Sequence, residues 1–446
     1  MSHPAPCYRV PPELWRLVFS QFATTTTTTT HDAVDHVPFE PPQEMRETSA
    51  YIERVARCRE TCVALTRVCR LWRLIVAEFL YADVRIANVW SLHSLMRGLE
   101  RSRADGLGGF GRHVRRLELP RLQMNGSSSR RAAMTNRPSA PTIHLADVFR
   151  YTPRLEVFVR PPLHLDEEDM HFWASLIAAP LGSARGHLLP NLRRLEWHET
   201  ELDNRIYGSR NTARLFELIA NAPALSYFFL SSDHPEILST LGLFPSLRTL
   251  RVARAHYHSH SNKIPTGPAP LAFPRLRTLI LQSALPSALL PWLSAVGPRL
   301  HTIELAFAPQ VVFSSGQMQR ILSRCPALVE LAFHLGAPEI SALPPSPAPP
   351  TSASGFGRQG TNQFTTHPTL RRLRLRLSPE EWYPYKHVLR SQFAIIEGPS
   401  FPCLREIVLH DETRSLVRRE AGPPFLRAMM RRGCVVQYEG GESVIC

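Results

Sequence analysis

One phrase limits what this chain can fold into. Pro-x-Leu-x-x-Leu-x-Leu, with other apolar residues allowed at the leucine positions, recurs from about residue 110 onward. Clear copies begin at Pro190, Pro223, Pro245, Pro274, Pro298, Pro326, Pro368 and Pro402. Val114…Leu117…Leu119 is an earlier copy without the proline, and the stretch from Pro153 to Val159 is a slipped one. Apolar residues two apart share one face of a strand, so the last two apolar positions of each copy predict a short strand. The first leucine packs under the turn that leads into it. Amphipathic stretches at helical spacing lie between copies, at 212–220, 235–241, 287–296 and 317–323. A helix–turn–strand unit of this size cannot bury its core face alone, so neighbours must stack.

Successive prolines are 33, 22, 29, 24, 28, 42 and 34 residues apart, counted along the chain. The shorter intervals fall in the ~20–29-residue range of leucine-rich repeats, which the chain resembles. The expected fold is α/β: an irregular leucine-rich-repeat solenoid over 112–446, with parallel strands on the concave side and helices on the convex side. Segments at about 123–141, 255–270 and 337–367 are rich in Ser, Gly and Pro, and such compositions bury too little surface to order themselves. They read as flexible loops between repeats. A helix over 424–432, closed by Gly433, and a strand over 434–438 would finish the array.

The N-terminal part has a different pattern. Pro12 suits a first helical position, where its missing N–H costs nothing. Glu13 follows in the first turn, and Leu14, Leu17, Val18 and Phe22 recur at three- and four-residue spacing. Leu65, Val68, Cys69, Trp72, Ile75, Val76 and Phe79 repeat that spacing in a second helix. The set of Pro-Glu-Leu-Trp followed by Val-Cys-Arg-x-Trp-Arg resembles the F-box, a helical module that joins a substrate receptor to a cullin-type ubiquitin ligase. The resemblance implies that Pro11, Leu14, Val18, Leu65, Val68, Cys69 and Trp72 meet an acidic Skp-type adaptor. It also implies that the solenoid binds the protein to be ubiquitinated. On this reading an F-box-like helical domain spans 8–86, with a disordered insertion at about 23–48 holding the run Thr24 to Thr30, and a helical hinge covers 87–111.

Two other readings compete with this one. The helices could simply cap a repeat scaffold that recruits no ligase. A nucleic-acid binder is suggested by the net charge of +14, from 52 basic and 38 acidic residues. The basic residues are dispersed, and no aromatic-basic surface for stacking bases stands out. Lys263 and Lys386 are the only lysines. No apolar run reaches the ~18 residues of a membrane span, and the first residues lack a signal-peptide pattern. An intracellular protein, cytoplasmic or nuclear, is therefore expected.

Candidate chemistry is sparse. Gly106-Leu107-Gly108-Gly109-Phe110-Gly111 fits a dinucleotide fingerprint in form only, because a helical stretch precedes it and a repeat strand follows. His256, His258 and His260 alternate, with no acid or cysteine beside them. Cys58, Cys62 and Cys69 lie at helical spacing and read as a buried apolar side rather than a zinc site. No catalytic, metal or cofactor site is assigned, and a non-catalytic receptor is expected. The strand residues alternating with the core leucines point away from the core. They suggest a substrate patch at Tyr227, Phe229 and Ile280. Beside it, Arg372, Arg374 and Arg376 would form a cradle for an acidic or phosphorylated element. The opposing reading pairs Arg372 with Glu330 and Glu406 across the sheet.

Overall fold

The computed structural model describes residues 10–27, 49–86, 89–104, 109–119, 143–161, 176, 187–198, 209–231, 244–253, 273–282, 290–306, 317–335, 366–377, 386–410 and 422–443. The three segments read as loops, the histidines at 256–260 and the helix expected over 235–241 lie outside them, apart from 366–367. No helix among the described residues is long and apolar enough to cross a membrane. The chain divides into two compact units: Met1–Ser232 with Gly242–Leu247, and Asp233–Leu241 with Arg248–Cys446. The division falls inside the repeats, not at the junction of helical module and array.

The first unit opens with three helices. Helix α1 (Pro12–Thr27) begins where expected, with the Pro11 carbonyl accepting from the N–H groups of Leu14 (3.0 Å) and Trp15 (3.4 Å). It runs on through Thr24–Thr27, so part of the threonine run expected to be disordered is helical. Helix α2 (Ser49–Leu65) is followed by a turn and α3 (Arg70–Leu80). Cys69 caps α3, its Sγ accepting from the Trp72 N–H at 3.5 Å. Phe19, Cys62, Ile75 and Val76 form the buried centre of this module, with Trp15, Leu65, Leu71, Trp72 and Phe79 packed against it.

Strand β1 (Asp83–Arg85) comes next, inside the stretch expected to be wholly helical. Helix α4 (Val89–Ala104) lies in the stretch 87–111 expected to be helical. It leads to β2 (Arg116–Glu118), α5 (Leu145–Tyr151), β3 (Val157–Arg160), β4 (Arg194–His198), α6 (Ser209–Ala220) and β5 (Tyr227–Ser231). Strands β1 to β5 pair in chain order and all in parallel. The glycine cluster has a structural explanation. Gly109 has φ of 73°, and a Cβ on Gly111 would collide with the Tyr151 carbonyl oxygen. A helix precedes these glycines and a strand follows, the reverse of a dinucleotide site.

The second unit holds β6 (Thr249–Ala253), β7 (Thr278–Leu281), α7 (Leu290–Val296), β8 (Thr302–Leu305), α8 (Gln317–Arg324), β9 (Glu330–Leu335), β10 (Arg372–Leu377), α9 (Lys386–Glu397), β11 (Glu406–Leu409), α10 (Gly422–Arg431) and β12 (Val435–Tyr438). Here too the strands pair in parallel in chain order. Gly433 has φ of 86° and closes α10, as the sequence predicts. The edge of β12 is met by the chain itself, since the Tyr438 N–H donates to the Glu442 carbonyl at 2.8 Å.

The role of the repeating proline is now physical. The first core leucine of a copy donates its N–H to the carbonyl three residues back: Leu192 to Leu189, Leu225 to Ala222, Leu247 to Phe244, Leu276 to Phe273, Leu300 to Gly297, Leu328 to Cys325 and Leu404 to Phe401. Proline is the second residue of each such turn, where φ near −65° is wanted and no donor is lost. The three apolar positions that follow are buried throughout, as in Leu192, Leu195 and Trp197 or Leu300, Ile303 and Leu305. Parallel strands with helices between them fit a leucine-rich-repeat array. The slipped copy carries an exception: Arg160 pairs with Trp197 in register and stands at a core position. It is fully buried, with its guanidinium 4.6 Å from the Trp197 ring and a 2.6 Å bond to the His198 carbonyl.

Candidate functional site

Two surfaces carry the residues singled out in the sequence. The first is the helical module. Trp15 and Phe19 lie on the inner side of α1, against Trp72 of α3, at centroid distances of 4.6 and 5.2 Å. Arg16 and Glu78 tie the same two helices at 3.1 Å. At about 100° per residue, Leu14, Leu17 and Val18 fall on a different stripe, and that stripe faces solvent. They are 50%, 63% and 46% exposed, and Val68, in the turn before α3, is 57% exposed. The helix thus has two apolar stripes, of which its own module buries one. An apolar stripe left in water favours a partner that covers it.

The seven residues expected to meet an adaptor therefore divide. Pro11, Leu14, Val18 and Val68 are exposed. Leu65, Cys69 and Trp72 are half-buried: Leu65 and Trp72 are packed against the module's core and Cys69 is its helix cap. Cys62 is buried, and burial pushes its thiol pKa up. Among the described residues no three His, Cys, Asp or Glu side chains stand close enough to share a metal ion.

The second surface is the strand face opposite the core. The expected substrate patch is not there to be touched: Tyr227, Phe229 and Ile280 are 1%, 2% and 0% exposed. Alternation along a strand separates its two faces but does not say which of them meets water. In the first unit this face is a buried charge array. Register places Asp83 beside Arg116 and Arg85 beside Glu118. Arg116 reaches Asp83 at 3.4 Å and Glu118 at 3.2 Å. On β4, Arg194 and Glu196 pair at 2.6 Å with side chains 5% and 3% exposed. The Arg194 guanidinium lies 4.3 Å from the Tyr227 ring, and His198 meets Phe229 edge to face at 4.5 Å. Burial alone would raise the Glu196 pKa, but the guanidinium of Arg194, helped by Arg116, outweighs it and holds the carboxyl at about 2.

In the second unit the arginine cradle is largely self-neutralised. Arg372 pairs with Glu406 at 2.6 Å and Glu330 at 3.2 Å, and Arg374 meets Glu330 at 2.5 Å. Gln437 adds a 2.8 Å bond to Glu406. Arg376, one step further along β10, is half-buried. The cross-strand pairing reading holds for Arg372, and Arg374 shares Glu330 with it. The sequence carried the signal, since Glu330 and Glu406 occupy the phrase position that Arg372 occupies in its own copy.

No protein family's sequence profile matches the chain, and no curated protein matches it. Fourteen solved chains match in structure. One is the leucine-rich repeat-containing protein LegL7 from Legionella pneumophila, at 12% identity and a TM-score of 0.37, covering 69% of this chain and 91% of that one.

Proposed function

We propose that this chain is the substrate-receptor subunit of a cullin-RING ubiquitin ligase. In this reading the N-terminal helices dock on a Skp-type adaptor and the repeat array binds the target protein. Chemistry belongs to other subunits, and the chain contributes no catalytic residue. The observation that carries the reading is the outward apolar stripe Leu14, Leu17 and Val18 with Val68, held on a module whose aromatic core is already filled. Covering these half-exposed side chains is worth on the order of 1 kcal/mol each, enough to make the stripe a docking site. The F-box-like spacing of Pro11, Leu14, Val18 and Trp72 supports the same assignment.

The alternative is a leucine-rich-repeat interaction scaffold without a ligase partner, and one experiment separates the two. Purified adaptor subunit is offered to the intact chain and to Leu14→Asp and Val18→Asp variants, each with an unchanged thermal transition. Capture by the intact chain, lost in both variants, is the expected result. A folded intact chain that captures no adaptor would leave the scaffold reading.

A further inference from the structure

The fourth position of the repeated phrase, just after the first core leucine, holds Arg193, Ser226, Arg248, Arg277, His301, Val329, Arg371 and Arg405 in the eight clear copies. Backbone bonds place these residues side by side in the second unit. The His301 N–H donates to the Arg277 carbonyl, Val329 to His301, Arg371 to Val329 and Arg405 to Arg371, at 2.8–2.9 Å, and Arg277 to Arg248 at 2.9 Å. They form one continuous row, where the chain turns into β6 through β11. Neighbouring strands are about 4.8 Å apart, so the row runs about 24 Å. All six side chains are exposed. Arg275 and Arg299, two residues earlier in their turns, widen the row to two side chains at its middle.

No acid stands at either position in these turns, which otherwise hold Ser246, Ala327, Thr369 and Cys403. The carboxylates one residue further along β9 and β11, Glu330 and Glu406, are engaged by Arg372 and Arg374. Arg277 donates to the Arg299 carbonyl at 3.1 Å and contacts the His301 ring, bonds within the row, and among the described residues no carboxylate pairs with it. The corresponding positions of the first unit are mixed, Arg115, Glu156, Arg193 and Ser226, so the uniform sign is a property of the second unit.

We propose that this row docks an extended, Asp/Glu-rich polypeptide segment. Guanidinium groups suit carboxylates by charge and by forked geometry. At about 3.3 Å per extended residue, roughly seven residues of such a segment span the row. A row one or two side chains wide follows a single chain. It lacks the broad basic face that holds a nucleic-acid duplex, and no Phe, Tyr or Trp stands in it to stack single-stranded bases. Exposed Val329 gives the segment one apolar contact between His301 and Arg371. Adaptor docking plays no part in the proposal, although within a ligase the row would select targets with acidic segments.

The test is fluorescence anisotropy of a labelled poly-glutamate peptide with the intact chain at low and physiological salt. Arg371→Glu/Arg405→Glu is compared with Arg320→Glu/Arg427→Glu, which changes net charge equally at exposed helical positions. The row variant should weaken binding about tenfold or more and the helical variant far less, with adaptor capture the same in both. Equal loss in the two variants, or no binding to the intact chain, would overturn the proposal. So would displacement of the peptide by single-stranded or duplex DNA at lower phosphate than carboxylate concentration, which would give the row to nucleic acid.

Discussion

The Glu196→Gln substitution tests the buried charge array directly. Glu196 sits on β4 between Val159 and Phe229, and Arg194 between Val157 and Tyr227. Its carboxylate is 2.6 Å from the Arg194 guanidinium, and both groups are nearly sealed from water. Glutamine keeps the shape and removes the charge, leaving Arg194 buried without its counter-ion, which costs about 3–5 kcal/mol. A second route agrees: a carboxyl at about 2 in the fold against an ordinary 4.5 corresponds to about 3 kcal/mol. The sign follows from the lowered value. The contribution is complete above pH 4.5 and is lost as pH falls toward 2, so the native chain and the variant should converge in that range. Replacing both partners by Leu and Val should cost far less than the single change, because the flanking side chains are apolar. Urea unfolding at pH 7 and at steps down to pH 3 measures all three proteins. A Glu196→Gln loss below about 1 kcal/mol at pH 7, or a gap that does not narrow with acid, would refute the assignment of the pair as a buried, mutually dependent unit.

Trp72→Ala should destabilise the helical module by about 3–5 kcal/mol, because it empties the space between Trp15 and Phe19. Leu14→Asp, on the exposed stripe, should stay within about 0.5 kcal/mol; thermal denaturation compares them, and equal losses would mean Leu14 is a core residue. Cys325, fully buried with its thiol pKa pushed up to about 12 by burial, should resist alkylation in the native chain, while exposed Cys403 is modified readily; mass spectrometry after brief iodoacetamide treatment reads the difference.

Much of the array was legible before any fold was seen, and for a local reason. A proline at the second position of a tight turn and apolar residues two apart each state their geometry within a few residues. The strands after Pro190, Pro245, Pro298 and Pro402 therefore lie where the phrase puts them. Strand β1 is not legible in the sequence because Asp83-Val84-Arg85 has one apolar residue and no proline; it is a strand through its pairing with Arg116–Glu118. Helix α9 has a legible end, Gly398-Pro399, but its start after Pro384-Tyr385 offers no Ser, Thr, Asp or Asn cap.

The sequence by itself determined the repeating unit, the helical module before it, and which face of each strand meets the core. Only the tertiary structure decided the fate of the other face. Whether Tyr227, Phe229 and Ile280 meet water, and whether Arg372 has a free charge, depends on neighbours 30 or more residues away in the chain, such as Glu330 and Glu406. The same holds for α1, where two apolar stripes look alike in sequence. Packing against Trp72 buries Trp15 and Phe19 and leaves Leu14, Leu17 and Val18 for a partner. Periodicity reports that a face is apolar; burial is settled by what the rest of the chain places against it.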